Sequence, residues 1–94
     1  MMYEIMLIKL VTGEDIIAGY EESDNHVTCN DPFSLAMHPE KGLVLMKFSP
    51  YALTDKVVFD KRHVLAVLPP QPNLESHYKE ITSKIITPKQ GIIV

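Results

Sequence analysis

Two carboxylates stand side by side at Glu14 and Asp15, directly after Gly13. Paired acids can divide general-acid and general-base work, but only when their carboxyls converge and the surroundings raise one pKa. Neighbours in an extended turn point apart, and nothing apolar encloses these two, so the stretch reads as a solvated corner. The histidines at 26, 38, 63 and 77 show neither His-x-His nor i, i+4 spacing, so no metal site can be read from them. Cys29, the single cysteine, follows His26 by three residues, which on a strand puts the imidazole on the opposite face. A buried, inert thiol is expected there. Ser34, Ser49 and Ser76 lie in no nucleophile motif. These side chains predict a protein that is not an enzyme and that uses no cofactor.

The elements that must position them fit in one domain, since 94 residues cannot supply two cores. The formal net charge of −3 argues against bulk attraction to nucleic acid, so any such binding needs a local basic patch. One cysteine leaves no disulfide framework, and a reducing, cytoplasmic setting is expected. The first ten residues alternate apolar and polar without a basic start or a continuous apolar run, so no secretory leader is expected. No apolar run approaches the roughly 20 residues of a membrane span.

Apolar residues fall on both faces of 3–10, as in a strand with little exposure. Thr12-Gly13-Glu14-Asp15 turns the chain, and 16–20 resumes as a strand with Gly19 marking a bulge or bend. Glu22-Ser23-Asp24-Asn25 forms a second turn. A third strand starts at His26 and reaches Ala36 through Pro32, which must sit at an edge or bulge because it cannot donate to a ladder. Strands over 43–48, 56–59 and 63–68 follow, interrupted by 49–55 and by Asp60-Lys61-Arg62. Prolines 69, 70 and 72 form a stiff link. Helical spacing of Leu74, Tyr78, Ile81 and Ile85 then predicts one helix, with Asn73 as N-cap, Glu75 in the first turn and Thr87-Pro88 as its end. The stripe should cover the open end of its own barrel or pack on a neighbouring subunit. Gly91-Ile92-Ile93-Val94 is a short apolar tail. The expected fold is mainly β: a small, strongly bent five-stranded antiparallel barrel over 1–69, with a linker, helix and tail over 70–94 in the same domain.

The stretch Leu7-Ile8-Lys9-Leu10-x-x-Gly13-Glu14-Asp15-Ile16-Ile17-x-Gly19, followed by Asp24-Asn25-His26, resembles the first signature of the Sm-like superfamily. Val58-Phe59-Asp60-Lys61-Arg62-His63-Val64-Leu65-Ala66-Val67 stands where that family has an apolar strand, an Arg-Gly-like turn and another strand. Here Asp60-Lys61 replaces Arg-Gly, and Phe59-x-Lys61-x-His63 is closer to the Tyr-Lys-His turn of the bacterial RNA chaperone Hfq. Thr28 falls roughly where Sm proteins carry a base-contacting asparagine, and the helix follows the sheet instead of preceding it. Asn-Asp-Pro in the third strand and Ser-Pro-Tyr before the last strands are similar to small phage-encoded Sm-like chains.

The resemblance implies a non-catalytic protein that builds a homo-oligomeric ring of about five to seven copies by pairing edge strands. It also implies contact with single-stranded RNA at the pore, through Asn25 and His26 in one turn and Lys61, Arg62 and His63 in the other. Gly13 and Gly19 would shape the sheet. An imidazole or guanidinium plane can stack on a base, and cations neutralise phosphate. The alternative is a protein-interaction scaffold that kept the ring and lost the RNA site, which the missing Arg-Gly turn, Thr28 and the acidic balance favour. The compartment implied is the cytoplasm, a host's if the chain is phage-encoded, with no membrane partner.

Overall fold

The computed structural model describes the backbone of residues 4–86 and the side chains through Ser83. Tyr3, the Ile85 side chain, Thr87-Pro88 and the tail at 91–94 lie outside the described residues. Six strands precede one helix: β1 (Glu4–Leu10), β2 (Asp15–Glu22), β3 (His26–His38), β4 (Gly42–Lys47), β5 (Lys56–Asp60), β6 (Val64–Leu68) and α1 (Pro72–Ile86). The fold is mainly β, an antiparallel sheet with a single C-terminal helix, as the patterning predicts.

The sheet runs β4-β3-β2-β1-β6, and β5 also pairs with β3. β3 is long enough to hold β2 along one side while its other side takes β5 over 26–30 and β4 over 33–38. The sixth strand therefore arises from loop 48–55, which splits one edge into β4 and β5.

The bend comes from a bulge in β3. Ile17 pairs with Phe33 and Gly19 with Asn30, so Ala18 alone faces Asp31 and Pro32. Asp31 takes a left-handed φ of 52°, and Pro32, which lacks an N–H, sits where the ladder is already broken. The irregularity falls beside Gly19, at the Ile17/Gly19 step of the register. Gly19 is not at positive φ; the extra residue belongs to the partner strand. Gly13, by contrast, has φ 99° and closes the β1–β2 corner as expected, its N–H donating to the Leu10 carbonyl at 2.9 Å.

The change of register lets one sheet bury both faces. Ile8, Leu10, Ile16, Ala18, Val27 and Cys29 fill the barrel side, where Phe48 and Phe59 meet edge to face at 5.7 Å. On the outer face Ile17 and Phe33 pack under Tyr78, flanked by Leu74 and Ile81 of α1. The helical stripe thus lies on the outer face of its own sheet, not across the barrel's open end. Pro72 opens α1 as its first residue, since a first-turn proline loses no helical hydrogen bond, and the Glu75 N–H donates to the Gln71 carbonyl at 3.0 Å. The helix begins one residue ahead of Asn73, which is therefore no N-cap.

Candidate nucleic-acid interface at two turns

The turn after β2 and the turn before β6 are far apart in sequence, at Asn25 and Lys61, yet they touch. β3 and β5 pair from their ends inward, with His26 opposite Asp60, so both turns leave the sheet at the same corner. There the Lys61 N–H donates to the Asn25 carbonyl at 3.0 Å, and the Ser23 N–H to the His26 carbonyl at 2.9 Å. The second turn is a single 3₁₀ turn (Lys61–His63) whose N-cap, Asp60, accepts from the Arg62 N–H at 2.8 Å. The His63 carbonyl accepts from the Val11 N–H at 2.9 Å, which ties this corner to the Gly13 turn. Asn25, His26, Arg62 and His63 are exposed and Lys61 is half-buried.

The charges of this corner are already paired. The Lys61 Nζ lies 2.7 Å from Glu22 Oε2, and the other Glu22 oxygen accepts from the Tyr20 hydroxyl at 2.7 Å. The Lys61 ammonium, followed by the Tyr20 hydroxyl, holds the Glu22 carboxyl below its usual range. The Tyr20 phenol is pushed up to about 12 by burial and by its bond to Glu22. Arg62 grips Asp60 with two nitrogens, Nε to Oδ1 at 3.1 Å and Nη2 to Oδ2 at 3.2 Å. Those side-chain bonds, together with the backbone bond, hold Asp60 at about 2. Exposed pairs of this kind are weak and screened by solvent, so a phosphate could exchange with either carboxylate. Beside them lies a 270 Å³ depression lined by Tyr20, Glu22, Lys61 and Val67 among others. The corner can offer two imidazoles and a guanidinium as stacking planes and two cations, provided the carboxylates yield.

Other residues with chemical potential are accounted for locally. The Lys9 ammonium lies 2.7 Å from Asp15, while the Glu14 side chain accepts from Thr12 Oγ1 at 3.3 Å. The two acids therefore diverge, as the turn reading predicts. His38 Nδ1 accepts from the N–H groups of Glu40 and Lys41, both at 3.1 Å, and shapes the β3–β4 turn. Cys29 is fully buried, and burial pushes its thiol up to about 11. Among the described residues, no three His, Cys, Asp or Glu side chains gather into a possible metal site. No described helix is long and apolar enough to cross a membrane.

Sequence reading missed the Glu22–Lys61 pair and the part played by Tyr20. The partners stand 39 positions apart, and the only hint was the crowding of Glu21, Glu22 and Asp24 in the first turn. No family model matches this chain, and no curated protein matches it.

Proposed function

We propose that this chain is a non-catalytic, Sm-like protein that assembles into a homo-oligomeric ring and contacts single-stranded RNA at its pore. The observation that carries the reading is the meeting of the two turns, joined from Lys61 N to Asn25 O at 3.0 Å. It gathers Asn25, His26, Lys61, Arg62 and His63 at one corner of the sheet. In the assembly, the outer edge of β5 in one copy takes up the outer edge of β6 in the next, completing backbone groups that a single copy leaves bare. Repetition of the corner around a pore multiplies weak stacking and phosphate contacts. The cytoplasm is the compartment this reading assigns, a host's for a phage-encoded chain.

One observation favours a second reading, a protein-interaction ring without RNA. Both cations of the corner are held by acids, Lys61 by Glu22 and Arg62 by Asp60. Native mass spectrometry and low-salt titration with short oligo(U) and oligo(A) separate the readings. The RNA ring requires a particle of several 10.6 kDa copies that binds at low salt, weakens steeply as salt rises and fails when Lys61 and Arg62 become Ala. Glu22→Gln and Asp60→Asn should each strengthen that binding by releasing a cation. A ring that binds neither oligonucleotide at low salt is the scaffold.

A further inference from the structure

We propose that loop 48–55 of one copy seats Tyr51 and Leu53 in an apolar groove on the outer face of the next copy. The inference rests on the edge-to-edge assembly proposed above and gives each intersubunit contact a side-chain anchor besides its strand pairing.

The groove lies where the first turn of α1 stops short of covering the sheet. Two adjoining cavities of about 360 Å³ each share Leu7, Leu43 and Leu74. Leu35 extends the floor, His77 stands on the helix side, and Leu68 opens the groove toward the free edge of β6. Leu43 and Leu68 are 45% and 47% exposed, so the described residues do not fill the groove. A trench of this size lined by leucines is a place for apolar side chains.

The complementary feature is the loop that joins β4 to β5. Tyr51 and Leu53 are 99% and 104% exposed and rest on none of the described residues. Yet the loop that carries them is pinned. Its stem is fixed by Asp31 N to Asp55 O at 2.7 Å and Phe48 N to Pro32 O at 3.0 Å, and its tip is turned by Ala52 N to Ser49 O at 3.2 Å. The Lys47–Asp55 ion pair at 3.3 Å closes the base. A shaped loop that presents two large apolar side chains to water gives up little freedom on docking.

Strand geometry brings the two features together. Leu68 pairs with Leu7 and so shares the outer face, and Lys56, paired with Asn30, is on that face too. Antiparallel pairing of β5 with a neighbour's β6, with outer faces matched, allows the register that sets Lys56 opposite the neighbour's Leu68 and Val58 opposite its Ala66, and the loop contact selects it. In that register Leu53, three residues before Lys56, lies within about 10 Å of that point along the strand direction. It lies toward the neighbour's Gln71, Asn73 and Leu74, which line the groove. The paired strands, β5 and β6, are opposite edges of the sheet, so the contact is head-to-tail and propagates from copy to copy until it closes.

The test uses the full chain. Native mass and dilution-induced dissociation are measured for the wild type and for Tyr51→Ala/Leu53→Ala, whose side chains are too exposed to be needed for folding. The double variant should dissociate at a concentration at least about tenfold higher, because each lost apolar contact weakens association by that order. In parallel, Leu53→Cys and His77→Cys chains are mixed and treated with a short bismaleimide, the buried Cys29 thiol staying unreactive. The mixture should give a crosslinked dimer that neither variant gives alone. A multi-copy particle with unchanged dissociation and no crosslink overturns the loop contact while leaving edge pairing intact. A wild type that stays at 10.6 kDa at high concentration overturns both.

Discussion

Removing one oxygen from Tyr78 tests how the helix is held to the sheet. Tyr78 is 4% exposed, and its hydroxyl lies 3.0 Å from the Asn30 carbonyl and 2.8 Å from the Asp31 carbonyl. Both acceptors sit at the bulge, where the β2–β3 ladder is interrupted between Ile17 and Gly19. Tyr78→Phe keeps the ring and its edge-on contact with Phe33 at 6.0 Å, but leaves a buried acceptor without its donor. Such a loss costs about 1–2 kcal/mol, which for a domain this small lowers Tm by roughly 4–15 °C. Tyr78→Ala also removes the ring that joins Phe33 to α1 and should cost about 3–5 kcal/mol. Urea and thermal unfolding at one fixed protein concentration read both variants, since assembly makes stability depend on concentration. Stability should fall in a clear step from wild type to Phe and in a second step to Ala. A Phe variant within about 0.3 kcal/mol of wild type would show that the hydroxyl is no anchor and that packing alone holds the helix.

Gly13→Ala should destabilise by about 1–2 kcal/mol, because φ 99° is costly for any residue with a Cβ although no atom lies within 4 Å of the added carbon; an unchanged unfolding midpoint would refute the strain argument. Asp31 gives a pH prediction. Burial, then the nearby Asp55 carboxylate, raises its pKa against a smaller opposing pull from Lys47. A raised folded-state pKa favours the protonated form, so its stability contribution is full below about pH 4 and is lost as pH rises through the folded value. Asp31→Asn, uncharged and tolerant of positive φ, should therefore melt higher than wild type at pH 7 and lose that advantage near pH 3. A difference that does not change with pH would refute this.

Much of the architecture was legible because it is written in local patterns. Alternation marked the strands, the Gly13 corner announced itself by composition, and the 3.6-residue spacing of Leu74, Tyr78 and Ile81 announced the helix. Pro32 signalled a bulge somewhere in β3. What the pattern could not say is how the extra residue of β3 lies against β2, because that is a property of the β2–β3 register. The corner of Asn25 and Lys61 could be placed only through a resemblance; Asp60 stands beside its cations in the sequence, but the acid that pairs Lys61 could not be placed. A Glu22–Lys61 contact follows from three-dimensional pairing of β3 with β5, and nothing in the spacing of those residues encodes it.

The bulge at Asp31 and Pro32 connects more of the molecule than any motif suggested. Its carbonyls receive Tyr78, so it fixes where the helix lies on the outer face. Its Asp31 N–H and Pro32 carbonyl hold the two ends of loop 48–55, so it also fixes where that loop leaves the edge. By shifting the register, it turns Phe33 to the outer face while Val27 and Cys29 stay on the barrel side. Helix position, loop position and the burial of both faces therefore depend on one irregularity. A substitution that restored regular pairing there, rather than one that touched any single contact, would be felt in all three at once.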